Sequence, residues 1–412
     1  MDRADAPRIR VSHPGATGTA YALAAALMEL APDARLWTGA YALPGPQAAA
    51  GRLPGAIGRR LARELGRRFD PRIDAARVDV RPLAELVHVG LGRLGLPEAW
   101  HPPLRRWRDR RFERHVVSMI DRDRPDVLVG HDGSTLGAFR HARRRGVTTV
   151  LHQAIGHIRT GARLLAEEAR LQPDFADTLR LGIAEDDLQR SSAEAAEADW
   201  VLAASDYVRD SLVENGVDPR RIQSLPYTVD TDRFVPGTRA PDGRFRVLFV
   251  GQIGQRKGIK YLLEAVRRLD LPDLELLLIG RIIGSGAGLA PYRPWFRHVP
   301  AVPHGEVAAL FRSADAFALP SLHEGSAMVT YEALAAGLPL VVSPNAGAPV
   351  RDGIEGFLVP IRDPDAIADR LRQLHGNPDL RAAMAVRARA RALEFAWEPY
   401  RARVETAMRA WR

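Results

Sequence analysis

The 412-residue sequence contains no cysteine, so it can form neither a disulfide framework nor a cysteine-based metal site. It also has almost no lysine, because 57 of its 59 basic residues are arginine and only Lys257 and Lys260 are lysine. Such a skew is typical of a biased nucleotide composition, so the arginine excess by itself indicates little about function. The formal net charge of +9 weakly favours anionic partners.

Long apolar runs are absent as well. No segment reaches the roughly 18 uncharged apolar residues that a membrane-spanning helix needs. The first ten residues, MDRADAPRIR, lack the apolar core of a secretory signal. We therefore expect a cytoplasmic protein, and the length is sufficient for two domains that each have a core.

Apolar runs alternate with amphipathic helical segments, a pattern typical of parallel sheets covered by helices on both faces. The candidate strands are residues 8–13, 34–39, 126–131, 148–152, 199–205, 246–251, 274–280, 314–320 and 338–343. The stretch 231–245, rich in proline, glycine and charge, predicts a domain boundary. The predicted fold is therefore α/β, with doubly wound Rossmann-like domains at 1–238 and 239–395 whose strand ends face a shared cleft.

The segment LPSLHEGSAMVTYEALAAGLPL (319–340) places two glutamates eight positions apart. Glu324 follows a predicted strand, and Gly325 allows a ligand to approach the main chain closely. Ser326 is the predicted N-cap of a helix over 327–336, and Glu332 projects from its second turn.

The N-terminus of this predicted helix suits an anion such as a diphosphate. Its unpaired N–H groups belong to Ala327, Met328 and Val329. Because phosphates repel carboxylates, we expect Glu324 and Glu332 to bind neutral hydroxyls on either side, as a nucleotide sugar would provide. A capping carboxylate and a solvated helical glutamate are the alternative interpretation.

A second candidate anion site lies in RVLFVGQIGQRKGIKYLLEAV (246–266). Gly251 and Gly254 let the loop after the strand approach a ligand, whereas Arg256 and Lys257 begin the next helix, where cations oppose the helix dipole. A bound anion would offset that unfavourable interaction. A solvated basic turn is the alternative.

Taken together, these motifs resemble glycosyltransferase family 4, a group of retaining enzymes with the GT-B fold. The matching segments are VLH (150–152), ADWVLAAS (198–205), SLPYTVDTDRFVPG (224–237), FVGQIGQRKG (249–258), PSLHEGSAMVTYEALAAGLPLV (320–341) and DGIEGFLVP (352–360). The specific feature is the E-x7-E spacing within the long EG…YEALAAGLP context.

The resemblance implies a role for each matching residue. Glu332 would hold the ribose hydroxyls, Glu324 would lie beside the donor sugar, and Lys257 would contact the diphosphate. His152 would contact the donor sugar from the N-terminal domain. His152, Glu324 and Lys257 are therefore the candidate catalytic residues. The candidate donor-binding residues are Gly251, Gln252, Arg256, Lys257, Gly325, Ser326, Ala327, Met328, Val329 and Glu332.

The sequence departs from the family pattern at several positions. Gln252 stands where many members have arginine, so the second phosphate-pairing charge is either lost or supplied by Arg256. Ser326 and Ala327 replace a frequent Phe-Gly pair, which should change contacts with the sugar.

The N-terminal domain should bind a hydroxyl acceptor. The resemblance places His13, Gly15 and Gly18 in a loop that borders the donor diphosphate and the acceptor pocket. His131 and His157 occupy similar loop positions. The expected partners are a nucleotide-sugar donor and a hydroxyl acceptor, and no nucleic acid.

Neither a metal ion nor another cofactor is expected. Asp121-Arg122-Asp123 and Asp230-Thr231-Asp232 match an Asp-x-Asp motif by letter only, because neither follows a strand at the cleft edge. A helix terminus with Lys257 and Arg256 can neutralise the leaving diphosphate. By analogy with the family, we expect front-face substitution to account for retention. A nucleotide-sugar 2-epimerase and a non-catalytic sugar-nucleotide-binding protein are the rival interpretations.

Two amphipathic segments complete the predictions. Residues 51–115 contain 16 arginines against 8 acidic residues. The helical segment 104–120, which overlaps them, either packs on the sheet or docks on an anionic membrane. In 396–412, Trp397, Tyr400, Val404, Met408 and Trp411 form one apolar face. We expect this last helix to cross back onto the N-terminal domain.

Overall fold

The computed structural model describes residues 7–15, 17–42, 66, 68–93, 100–237, 242–300 and 304–411. Within these ranges, a first sheet has seven parallel strands in the order β3-β2-β1-β4-β5-β6-β7. They are β1 (Ile9–His13), β2 (Arg35–Thr38), β3 (Val78–Val80), β4 (Val127–His131), β5 (Thr148–Gln153), β6 (Trp200–Ala203) and β7 (Ile222–Ser224). The associated helices are α1 (Gly18–Leu30), α2 (Leu83–Arg93), α3 (His101–Asp123), α4 (Leu136–Arg144), α5 (Ile158–Leu171), α6 (Glu185–Glu197) and α7 (Asp206–Glu214).

The second sheet belongs to the C-terminal domain, and its described part has six parallel strands in the order β10-β9-β8-β11-β12-β13. They are β8 (Phe245–Val250), β9 (Leu274–Ile279), β10 (Phe296–Val299), β11 (Ala316–Leu319), β12 (Leu340–Val342) and β13 (Gly356–Leu358). The helices are α8 (Ile259–Leu269), α9 (His304–Arg312), α10 (Met328–Ala335), α11 (Pro364–Gly376), α12 (Pro378–Leu393) and α13 (Trp397–Met408).

The central strands follow the apolar runs of the sequence because helices cover both faces of each sheet. All four residues of β11 are buried, as are the five of β4. The predicted α/β architecture is thus confirmed. Strands β3, β7, β10 and β13 were not predicted, since each has only three or four residues and lies at the edge of its sheet.

The C-terminal helix α13 crosses back to the N-terminal domain, as predicted. Tyr400, Val404 and Trp411 are buried in one apolar cluster with α1, and the Trp411 indole donates to Gln223 Oε1 (3.0 Å). The preceding helix α12 packs on α10 of the other domain. The crossing therefore falls between α12 and α13.

The arginine-rich helix α3 uses its apolar face for internal packing. Phe112, Val116 and Ile120 lie in the core, and Arg106 pairs with Asp187 at 3.1 Å. Of the interpretations for 104–120, packing on the sheet is the one observed, and membrane contact stays a prediction. In the described ranges no helix is both long and apolar enough to cross a membrane. Residues 51–65, 67 and 94–99 of the basic region, and 238–241 of the predicted boundary, lie outside the described residues.

Replacing Tyr400 by alanine should destabilise the N-terminal domain by about 3–5 kcal/mol, the usual cost of removing a buried aromatic side chain. Tyr400 is 1% exposed. Hydrogen exchange should accelerate in α1 and much less in α8, as measured by mass spectrometry. Arg409→Ala is the matched control, because that side chain is 73% exposed on the same C-terminal segment. Equal acceleration in α1 and α8 would contradict the assignment of α13 to the N-terminal domain.

Candidate functional site

The carboxyl edges of the two sheets meet at a cavity of about 860 Å³. The N-terminal domain contributes His13, Gly15, Asp132 and Gln153 to its lining, among other residues. The C-terminal domain contributes Gln252, Gly254, Arg256, Lys257, Arg281 and His323. This is the crevice in which open α/β sheets bind ligands.

The turn that follows β11 docks directly on the N-terminal domain. Ile155 and Gly325 form an antiparallel bridge, and the Gly156 N–H donates to the Glu324 carbonyl at 3.0 Å. The Ser205 hydroxyl donates to the Gly325 carbonyl at 2.6 Å. A Cβ atom at residue 325 would overlap the Ala154 carbonyl. Gly325 therefore permits close approach of the protein's own main chain, whereas the sequence pointed only to a ligand.

Glu324 forms ion pairs with both cations of the neighbouring loop. Its Oε2 accepts from Arg256 at 2.8 Å and also contacts Lys257 Nζ. Burial alone would raise the pKa of Glu324, but Lys257 and Arg256 outweigh it and lower the pKa. Burial lowers the pKa of Lys257, and Glu324 partly compensates. The carboxylate thus provides the anion that the sequence predicted a ligand would supply to this basic turn.

The N-terminus of α10 differs from the predicted one. Ser326 does not cap the helix, because its hydroxyl contacts the Tyr331 hydroxyl (2.7 Å) and donates to the Gly347 carbonyl (3.0 Å). Ala327 is the N-cap, and its N–H donates to the Ala346 carbonyl. Met328 and Val329, both partly exposed, provide first-turn N–H groups without helical partners.

Glu332 lies in the second turn of α10 and is buried. Burial raises its pKa to about 7, against the opposing effect of Arg233. A carboxyl group with this pKa changes its charge in the physiological range, so its strength as a hydrogen-bond acceptor depends on pH.

The loop after β8 carries the other predicted donor-binding residues. Gly251 has φ +146, a conformation that favours glycine, and its carbonyl lies against Gly280. Its conformational freedom therefore serves in part the close approach of the main chains at Gly251 and Gly280. Gln252 lines the cavity. Residues Gln255–Lys257 form a short 3-10 helix, and Gly258, with φ +69, is the N-cap of α8. Arg256 and Lys257 therefore precede the first turn of α8.

Three predicted histidines stack edge to face at the strand ends of the N-terminal domain. The ring centroids of His13 and His131, and of His131 and His152, are each 4.8 Å apart. Burial lowers the pKa of His13 and that of His152 to about 4, so both are neutral at pH 7. Among the described residues, neither ring nitrogen of His152 has a hydrogen-bond partner. His152 is fully buried, and its contact with a sugar stays a prediction.

The other loop positions have structural roles. The His157 ring accepts from the Arg159 N–H and caps α5. Gly18 is the first residue of α1 behind the N-cap Thr17, whereas Gly15 donates its N–H to His13 Nδ1 at 3.1 Å. Of these loop residues, His13 and Gly15 line the cavity.

Several cavity residues were missed by the sequence analysis. Asp132, directly after β4, accepts from the Ala154 N–H at 3.2 Å, and burial raises its pKa to about 6. Arg180 and Arg281 also line the cavity. The position of Asp132 at a strand end was a usable signal, whereas Arg180 was one arginine among many. Over the described ranges, no group of three or more acidic or histidine side chains could hold a metal ion.

Two family models match the chain. One, described as glycosyl transferases group 1, covers residues 230–391, and the other, described as Glycosyltransferase Family 4, covers 58–233. The chain is 35% identical over 230 residues to a D-inositol 3-phosphate glycosyltransferase of Geodermatophilus obscurus, covering 49% of the chain and 50% of that protein. A protein of the same name from Actinosynnema mirum is 34% identical, over 49% of the chain and 55% of the relative. The chain thus spans about half the length of these curated relatives.

Solved structures share the fold over the whole chain. A sucrose-phosphate synthase from Thermosynechococcus elongatus gives a TM-score of 0.67 at 17% identity and covers 98% of both chains. Anabaena HepE in complex with UDP and glucose gives 0.61 at 15% identity, over 98% of this chain and 100% of its own. At such low identity these likenesses support the fold alone.

Glu324→Gln should bind pyrophosphate more tightly than the unmodified protein, by about three- to tenfold for one removed like charge. The substitution frees Arg256 and Lys257 from their internal anion and removes repulsion of the ligand. Isothermal titration calorimetry at constant ionic strength measures the change. Glu332→Gln is the control, because that carboxylate pairs with neither cation within the described part of the chain. Weaker binding by Glu324→Gln would mean that the pair holds the cations in place more than it masks them.

Proposed function

Since this chain belongs to the family-4 glycosyltransferases, which have the GT-B fold, we propose that it transfers a sugar from a nucleotide-sugar donor to a hydroxyl group of an acceptor. The observation that carries the proposal is the position of Glu324. The Glu324 carboxylate pairs with Arg256 and Lys257, and the Glu324 carbonyl accepts a hydrogen bond from the N-terminal domain. A carboxylate and two cations are thereby fixed where the two domains meet.

The donor would bind mainly to the C-terminal domain. Glu332 would accept hydrogen bonds from the ribose hydroxyls, and the N–H groups of Met328 and Val329 would face the diphosphate. Lys257 and Arg256 would stabilise the charge that develops on the leaving diphosphate, since preorganised cations act most strongly in a site that excludes water. The complexes of HepE with UDP and UDP-glucose support a nucleotide sugar as the ligand class.

We propose that the reaction retains the configuration of the sugar and needs no metal ion. The bond from the anomeric carbon to the phosphate oxygen breaks while the acceptor oxygen bonds to the same carbon from the same face. The leaving phosphate takes the acceptor proton. The two cations and the end of α10 provide the positive charge that a divalent ion would otherwise supply.

The acceptor would carry an anionic group. The cavity lining contains eight basic side chains and five acidic ones, a surplus of three positive charges. Partial burial lowers the pKa of Arg180, and the neighbouring Arg105 and Arg106 lower it as well, against the opposing effect of Asp187, so two cations repel Arg180 on the acceptor side. Arg180 forms no ion pair within the described structure. An acceptor phosphate would relieve this repulsion, and the relatives named as D-inositol 3-phosphate glycosyltransferases support that class.

Incubation with UDP-, GDP- and ADP-sugars, with and without EDTA, tests the proposed reaction. We expect transfer to one sugar phosphate or polyol phosphate acceptor, with the anomeric configuration kept and activity unaffected by EDTA. Epimerised donor without transfer would indicate the 2-epimerase. Nucleotide binding without any turnover would indicate a non-catalytic protein, and activity restored only by magnesium or manganese would overturn the metal-free site.

Arg180→Met should raise KM for a phosphorylated acceptor by about five- to tenfold, the value of one charge-assisted contact that is partly solvated. KM for the donor should remain the same, because Arg180 lies on the N-terminal side of the cavity. Steady-state kinetics with each substrate varied separate the two effects. Arg409→Met, an exposed arginine outside the cavity, is the control, and an unchanged acceptor KM would exclude Arg180 from the acceptor site.

Nucleotide-sugar affinity should depend on the ionisation of Glu332. The ribose hydroxyls bind best to the carboxylate, and the pKa of Glu332 is about 7 without ligand. Affinity should therefore be full above this pH and fall by up to about tenfold per unit below it, because a proton must be released on binding. Calorimetry with an intact nucleotide sugar avoids titration of a terminal phosphate. Glu332→Gln should abolish the pH dependence of nucleotide-sugar affinity. If the pH dependence persists in this variant, a group other than Glu332 causes it.

A further inference from the structure

A buried glutamate of the N-terminal domain reaches into the C-terminal domain. Glu168, in α5, has a fully buried side chain. Its Oε1 accepts from Gln255 Nε2 at 2.6 Å and from the Tyr261 hydroxyl at 2.8 Å. Its Oε2 accepts from Arg362 Nε at 2.7 Å. All three donors belong to the C-terminal domain, so this carboxylate replaces its lost hydration with partners from across the interface.

Gln255 connects Glu168 to the turn that carries Lys257. Its side-chain oxygen accepts from the Lys260 N–H at 3.0 Å, so the amide group bridges Glu168 and the first turn of α8. Its main-chain N–H donates to Thr178 Oγ1 at 2.9 Å, a second contact with the N-terminal domain. Two residues of one domain therefore hold the first residue of the turn Gln255–Gly258 in the other.

The turn leads directly to the charged centre of the site. Lys257 and Arg256 extend from it to Glu324, and the Arg256 carbonyl accepts from the Leu322 N–H at 2.9 Å. Gly258 passes so close to the Pro320 carbonyl that a Cβ atom would overlap it. A shift of the turn would consequently move both cations relative to the strand end.

We propose that Glu168 is a positioning residue for the donor site, which acts through Gln255 to hold the diphosphate-contacting turn and so makes donor affinity depend on docking of the two domains. This proposal rests on the proposed function, because it assumes that the turn contacts a nucleotide diphosphate. Glu168 itself has no contact with a substrate in this arrangement. By holding the turn in place before the nucleotide binds, Glu168 reduces the entropy that the turn would otherwise lose on binding.

Calorimetric titration with UDP, with GDP and ADP in parallel, tests this role. Glu168→Ala should weaken binding by about tenfold, as for other groups that orient a ligand-binding residue. Gln255→Ala should have a similar effect, and the double variant should be no weaker than either single variant, because both changes break one chain of contacts. In turnover assays the donor KM should rise while the acceptor KM stays constant.

Two neighbouring changes serve as controls. Tyr261→Phe removes another hydrogen bond to the same Glu168 oxygen, and Glu167→Ala removes a second carboxylate that pairs with Arg362 at 2.9 Å. Within the described structure, neither side chain forms a hydrogen bond with Gln255. Both variants should bind the nucleotide within about twofold of the unmodified protein, because each leaves the hydrogen bond from Gln255 to Glu168 in place. Losses equal to that of Glu168→Ala would indicate a general role in domain cohesion and overturn the proposal.

The remaining outcomes are also decisive. A folded Glu168→Ala variant with unchanged affinity, or additive effects in the double variant, would refute positioning through Gln255 but leave the proposed function intact. An unmodified protein that binds none of the nucleotides would refute the proposed function itself, and the positioning role with it. If Glu168→Ala does not fold, the nucleotide affinities of Gln255→Ala and Thr178→Val test the proposal instead, because each change loosens the same turn without leaving a charge unpaired. Unchanged affinity in both would reject the role.

Discussion

The cleft depends on the absence of a side chain at residue 325. Gly325 lets the turn after β11 lie against the main chain of residues 154–156, close enough for a bridge and for hydrogen bonds across the domain interface. Any Cβ atom there would separate the two sheets at the point where their carboxyl edges meet. Because Glu324 directly precedes this glycine, the same contact fixes the catalytic candidate, and the shape and the chemistry of the cleft have one origin.

The charge arrangement follows from that contact. The charge of a carboxylate that is largely withdrawn from water at the interface must be compensated, and Arg256 and Lys257 do so from a loop of the same domain. The cluster of three groups keeps one net positive charge, which still attracts a diphosphate. In the proposed complex a donor would not need to bring its own cation, and the lowered pKa of Glu324 would keep its carboxylate ionised beside the sugar.

The sequence predicted features that depend on local pattern. The buried strands, the turn at Glu324 and the apolar face of α13 follow from continuous or periodic apolar residues. What it could not predict depends on contacts between distant segments. Ser326 is a residue type typical of an N-cap, yet its hydroxyl bonds to Tyr331 and Gly347, and Ala327, whose N–H donates to the Ala346 carbonyl, is the N-cap. The pairing of Glu324 with Arg256, 68 residues apart, could likewise not be predicted from the sequence.

The interface contacts also determine how the cleft could open. Residues 154–178 of the N-terminal domain supply the bridge at Ile155, the carboxylate of Glu168 and the hydroxyl of Thr178. All three contacts lie on one continuous segment, so a rotation about the two crossings, near 231–245 and between α12 and α13, would break them together. Opening would leave Glu168 without the donors that replace its hydration, which favours the docked arrangement. Release of a product from the cleft would therefore be coupled to loosening of the turn that we propose contacts the diphosphate.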